Sequence, residues 1–182
     1  MIKIKRKSYA LIFVYRLVNK IFLTLISIYQ HINISIVASR LKENGKNNII
    51  DHNLWVNNAN NISLKSNIFI GRGVYLNAHE QIEIGNYCAI GAGSKFITAN
   101  HGFSDISIPI NLQKYSVSPI ILNDDCWLGY NVIILPGVVL GKGCIVAAGA
   151  VVTRSFDDYS ILAGVPAKLI RKRQLVEHLY KN

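Results

Sequence analysis

Histidines and cysteines are the residues of this sequence best suited to acid–base or nucleophilic chemistry near neutral pH, and there are five of the first and three of the second. One histidine stands apart. His101 closes the stretch TANH inside an interval, ITANHGFSDISIPINLQKYSVSP, that carries Gly102, Pro109 and Pro119 and keeps no regular pattern. Histidine titrates close to physiological pH, so one held at the edge of a rigid scaffold suits a general base. A loop histidine satisfied by nearby carbonyls is the plainer reading. A zinc site needs three or four converging ligands. His31, His52 and His178 fall outside the central patterned region, which leaves His79 and His101 within it.

The scaffold is written in a period of six. From Leu122 onward, Leu122, Leu128, Ile134, Leu140, Val146 and Val152 are all aliphatic. Four residues after each come Cys126, Val132, Val138, Cys144, Ala150 and Phe156, mostly small and apolar. Upstream, Leu64, Ile70 and Leu76 keep the period, and Ile84, Ile90 and Phe96 resume it after a two-residue slip around Asn77, Ala78, His79 and Glu80. Glycine follows the aliphatic residue at Gly71, Gly85, Gly91, Gly129 and Gly141, where a tight turn is tolerated. An amphipathic helix repeats at 3.6 residues and a half-buried strand at two, so neither yields six. A parallel β-helix does, with three hexapeptides to a triangular coil and each coil hydrogen-bonded to the next. In this phase Cys88, Cys126 and Cys144 all take the small inward position, so they read as buried core thiols rather than nucleophiles.

After Phe96 the period is lost until about Pro119–Leu122, which predicts an extruded loop over residues 98–119 with His101 near its start. The coil is expected over residues 46–166, preceded by a helical arm (residues 1–45) and followed by a basic tail (residues 167–182).

Net charge is +10, and the arm carries most of it. Residues 1–50 hold nine Lys/Arg against one acid, and the remaining chain eleven against nine. No metal-finger spacing and no aromatic-plus-basic RNA motif is present, so an anionic membrane surface explains the arm better than nucleic acid does. Leu11, Val14, Val18, Ile21, Leu25 and Ile28 recur at helical spacing, with Lys3, Lys5, Arg6, Lys7, Arg16 and Lys20 placed to reach lipid phosphates. Arg16 and Lys20 interrupt the apolar run, which then extends from Ile21 to Gln30. Three placements stay open: an interfacial membrane helix, a helix packed on protein, and a true span. Residues 41–50 read as a polar linker. Three cysteines are too few, and odd in number, for a secreted disulfide framework, which points to the reducing cytoplasm, at the inner face of its membrane if the arm binds lipid.

The stretch IEIGNYCAIGAGSKFITANHGF, with SPIILNDDCWLGYNVIILPGVVLGKGCIVAAGAVVTRSFDDYSILAGVPAKLIRKR after it, resembles the hexapeptide-repeat acyltransferases. Within them it is similar to the galactoside, maltose and nodulation acetyltransferase branch and its polysaccharide O-acetyltransferase relatives. TANH, CWLG, ILPGVVLG, AAGAVVT and AGVPAKLIR are the most specific pieces. The resemblance implies a left-handed parallel β-helix, an all-β homotrimer with sites between subunits, and acetyl-coenzyme A as co-substrate without a metal. It implies His101 as the base that deprotonates an acceptor hydroxyl, on a sugar or a lipid-linked saccharide. Asn77 and Trp127 match acceptor-side positions, although Asn77 also reads as a corner asparagine. Trp127, Gly129, Tyr130, Ala148, Thr153, Arg154, Lys168 and Arg171 match positions around coenzyme A, the last two near its phosphates. A streptogramin-type small-molecule acetyltransferase and a non-catalytic assembly platform are the competing functions.

Overall fold

The computed structural model describes residues 6–174, with side chains from residue 11 onward. The lipid-facing roles expected of Lys3 and Lys5, the side chains of Arg6 and Lys7, and the end of the C-terminal tail lie outside the described residues.

The period of six becomes a parallel β-solenoid of three sheets. Sheet A stacks Glu43–Asn44, Ile62–Leu64, Ile82–Ile84, Ile120–Leu122 and Val139–Leu140. Sheet B stacks Ile49–Ile50, Phe69–Ile70, Ala89–Ile90, Trp127–Leu128, Ile145–Val146 and Ser160–Ala163. Sheet C stacks Trp55–Asn57, Tyr75–Asn77, Lys95–Ile97, Ile133–Ile134 and Val151–Val152. One strand from each sheet makes a coil, giving five full coils and a partial sixth. The periodic aliphatics point inward and are buried, as are all three cysteines. Each cysteine Sγ lies 3.3 Å from a carbonyl of the next coil: Asn123, Gly141 and Asp157 for Cys88, Cys126 and Cys144. Hydrogen bonding with Cys144 lowers the Cys126 pKa, but pairing with Cys88 and burial outweigh it and push it up to about 12. Pairing with Cys126, then burial, push Cys144 up as well. Cys88 is drawn below its ordinary value by the Cys126 thiol beside it, yet it too is buried.

Three expectations change. Residues 41–50 are not a linker, because Glu43–Asn44 and Ile49–Ile50 already pair with the coil above and open the first coil. Asn44 stands where an aliphatic would mark the phase, so the period is masked there. The lower coils also step by 20 residues rather than 18: Ile62 pairs with Ile82 and Tyr75 with Lys95, whereas Trp127 pairs with Ile145. The extra residues sit at the corner between sheets C and A, where Ala59–Asn61 forms a short 3-10 turn and the slip at Asn77–Glu80 recurs one coil higher. Finally, the basic tail is not free from its start. Lys168–Lys172 pairs antiparallel with Ser160–Ala163 and covers the open edge of sheet B.

The arm is one α-helix, α1 (Arg6–Arg40), about 52 Å long at 1.5 Å per residue. Among the described residues its C-terminal end meets the solenoid, where Val37 and the following Leu41 pack against the core. Between Lys20 and Arg40 no residue carries a fixed charge, since His31 is the sole titratable group besides Tyr29. The uncharged run is therefore longer than a reading that stops at Gln30. Leu11–Arg40 is long and apolar enough to cross a membrane, by length and composition.

Candidate active site

The C–A corner changes character coil by coil. The first coil carries the turn Ala59–Asn61, the second carries His79, and the third releases the loop. Thr98 fastens this column. Its buried hydroxyl donates to the Asn77 carbonyl at 2.9 Å and accepts from the Glu80 amide at 2.9 Å. The Thr98 amide also donates to the Asn77 carbonyl, at 3.2 Å. The coil below is thus tied to the point where the chain departs.

The neck of the loop is a two-stranded antiparallel ribbon in which Ala99 faces Val117 and Asn100 faces Ser116. The next opposed pair along it is His101 and Tyr115. Tyr115 Oη lies 3.2 Å from His101 Nε2, and the two ring centroids are 4.4 Å apart. His79, from the coil beneath, also stacks with Tyr115, at 5.7 Å and an interplanar angle of 15°. Gly102 is required just beyond: a Cβ there would sit 2.6 Å from the Lys114 carbonyl oxygen, and the Gly102 amide donates to that oxygen at 3.1 Å. Farther out, the Gln113 side chain donates to the carbonyls of Asp105 and Ile108, both at 2.8 Å, so the loop is fastened internally.

Of the acceptor-side candidates, Asn77 ends its sheet C strand beside this corner, whereas Trp127 is exposed on the outer face of sheet B. One chain therefore places His101 and Asn77 near one corner and Trp127 on another face. The donor-side candidates divide in the same way. Gly129, Tyr130 and Ala148 line the B–C corner in successive coils, where a Cβ on Gly129 would meet the Ala148 amide nitrogen at 2.6 Å. The neighbouring Ala147–Ala148–Gly149 run is exposed and presents a smooth ridge. Thr153 and Arg154 lie on the C–A corner above the loop, with the Arg154 guanidinium 4.8 Å over the Phe156 ring. Lys168 and Arg171 project from the edge strand. Arg171 continues the sheet B register Trp127–Ile145–Ile161.

Tyr115 and Thr98 escaped the sequence reading. Thr98 lay inside the recognised TANH stretch. Tyr115 carries no periodic signal, because it meets His101 only through the ribbon.

The comparisons agree with this architecture. The model for the hexapeptide repeat of succinyl-transferase matches residues 119–154. A Lysinibacillus sphaericus protein, provisionally named a macrolide acetyltransferase, is 39% identical over 121 residues, which cover 56% of this chain and 67% of that protein. An Escherichia coli K12 protein, provisionally named an O-acetyl transferase of lipopolysaccharide biosynthesis, is 34% identical over 119 residues, covering 61% and 60%. A solved hexapeptide-repeat acetyltransferase from Vibrio cholerae, complexed with acetyl coenzyme A, matches with a TM-score of 0.71 at 26% identity, covering 76% of this chain and 75% of that one. The chain spans about a third to two thirds of the length of the curated relatives it matches. With the six-residue period, the three-sheet solenoid and these likenesses in agreement, the chain belongs to the hexapeptide-repeat acyltransferases.

Proposed function

We propose that this chain is an O-acetyltransferase that moves acetyl from acetyl-coenzyme A to a saccharide hydroxyl, with His101 as general base. The observation that carries the reading is the His101–Tyr115 pair at the foot of the loop, on a scaffold whose Vibrio cholerae likeness binds acetyl coenzyme A. In the tautomer that the base role requires, Nε2–H donates to Tyr115 Oη and Nδ1 is unprotonated toward the acceptor. His101 takes the proton of the hydroxyl as its oxygen attacks the thioester carbonyl. The C–S bond breaks as the tetrahedral intermediate collapses, and the coenzyme A thiolate leaves and takes up a proton. No acyl-enzyme is required. The cysteines, the strongest nucleophiles of the chain, are buried and lie along the A–B side of the coils, away from the corner of His101.

The donor fits the chain's other residues. The small ridge Ala147–Ala148–Gly149 allows close approach of a narrow pantetheine arm, and Arg154, Lys168 and Arg171 supply cations for its phosphates. Because Trp127 and His101 stand on different faces of one chain, a complete site takes residues from two copies, in keeping with a homotrimer. Tyr115→Phe keeps the ring and removes the hydroxyl. It should lower kcat by about 3- to 30-fold, as the loss of one orienting hydrogen bond does, with little change in the KM for acetyl-coenzyme A. Steady-state kinetics of Tyr115→Phe beside the unaltered chain tests this, and an unchanged kcat would contradict it.

The helix α1 is assigned to an anionic bilayer on the cytoplasmic side. Its apolar surface is largely exposed from Leu11 to Ile36, and Arg16, Lys20, Arg40 and Lys42 flank the uncharged run with no acid before Glu43. A chain lacking residues 1–35 retains Val37 and Leu41 and should fold, while losing co-sedimentation with phosphatidylglycerol vesicles. Undiminished co-sedimentation would contradict the assignment.

The likeness to a protein named for macrolide acetyl transfer favours a second reading, with an antibiotic hydroxyl as acceptor. A panel of nucleotide sugars, lipid-linked sugars and macrolides, each incubated with labelled acetyl-coenzyme A, decides between them. Labelled saccharide is the expected product, and labelled macrolide alone would overturn it.

A further inference from the structure

We propose that the outer face of sheet C in the first two coils is an extended subsite for a saccharide chain, built by Trp55, Tyr75 and Asn57 and leading up to Asn77. This deepens the saccharide reading above and rests on it.

The face begins beside the candidate active site. Asn77 ends its strand next to the corner that bears His79 and, one coil higher, His101. Below Asn77 in register is Asn57, and below Tyr75 is Trp55. The Asn57 amide nitrogen donates to Tyr75 Oη at 2.9 Å and approaches Asn77 Oδ1 at 3.3 Å. The two amides and the phenol therefore form one connected polar rail. Beside it Trp55 is 68% exposed, an unusual cost for so large a ring unless something stacks on it.

Dimensions and chemistry suit a sugar polymer. Adjacent rungs are about 4.8 Å apart, so the face runs about 10 Å from the coil of His101 to that of Trp55, the length of roughly two pyranose units. Residues two apart on a strand are separated by about 7 Å, so ring and rail lie side by side. Aromatic rings take the C–H faces of sugars, and amides and phenols pair with hydroxyls. The four outward residues of these two rungs carry no charge, and Lys95, in register above Tyr75 in the third coil, is the one cation on the path among the described residues, so the rungs suit a neutral chain better than a phosphate polymer or a nucleic acid. Direction agrees as well. The donor-side cations stand in the coils above His101, so the acceptor extends the other way, toward the first coil and the end of α1 packed against it.

The test uses the full chain and homo-oligomers of glucose, galactose, mannose and N-acetylglucosamine, one to four units long, as acceptors. The expected result is that, for at least one sugar, kcat/KM rises about tenfold from one unit to three, the scale of one stacked aromatic contact. Trp55→Ala should bring that ratio close to one, and Trp55→Phe should keep most of it. Length dependence that survives Trp55→Ala overturns the subsite. So does a ratio near one for every acetylated sugar. A change of oligomeric state in Trp55→Ala by sedimentation also overturns it, because the ring would then seal a contact between copies. If the intact chain acetylates no sugar of any length, the saccharide reading itself fails and the subsite falls with it.

Discussion

Replacing His101 by alanine is expected to lower kcat by about 10²- to 10⁴-fold, the contribution of a positioned general base. The KM for acetyl-coenzyme A should change little, because the donor-side residues lie in the coils above. Stability should be nearly untouched: His101 is exposed, and its one side-chain hydrogen bond is to the equally exposed Tyr115. Release of coenzyme A thiol, followed with a chromogenic disulfide, measures the rate. The buried cysteines should leave the background low. A variant that keeps more than about a tenth of the activity would remove His101 from the role of base.

The second large effect is structural. Phe96 is fully buried, stacked in register between Leu76 below and Ile134 above. Phe96→Ala should cost about 3–5 kcal/mol, a large share of the roughly 5–15 kcal/mol that holds a domain folded. In a solenoid each coil touches only its neighbours, so this cavity weakens the junction of the third and fourth coils, where the loop leaves. Equilibrium denaturation should show a lower midpoint, with the two halves beginning to unfold separately. A loss below about 1 kcal/mol would mean that the coils repack around the gap.

The same junction shows what a linear reading can carry. Above the loop each inward position but Phe156 is aliphatic or small, so the period gives phase, inward face and coil height. Below it, Asn44 and the extra residues at the C–A corner break the phase, and the opening of the first coil passes for a linker. Backbone pairing tolerates this, because Glu43 and Asn44 hydrogen-bond upward whatever their side chains. The place of His101 at the foot of the loop was legible, because a break in a regular scaffold points at its first residues. Tyr115 was not, since its partner is chosen by ribbon register fourteen residues away. The resemblance implies one site for Trp127 and His101, yet phase alone sets them on different faces of one chain. Trp127 directly precedes the inward Leu128 and therefore points out from sheet B. The helical arm was legible, but its uncharged run was cut short at Gln30, whereas no Lys, Arg, Asp or Glu occurs between Lys20 and Arg40.

The fate of the acetyl group tests the central claim most directly. In a single turnover, labelled acetyl-coenzyme A is mixed with excess chain and saccharide acceptor, and label is followed on saccharide and on protein. The prediction is label ester-linked to a saccharide oxygen, matched one for one by released coenzyme A, with none on the protein at any time and transfer slowed about 10²- to 10⁴-fold in His101→Ala. Label that passes through the protein, or reaches the saccharide as fast without His101, would contradict the account.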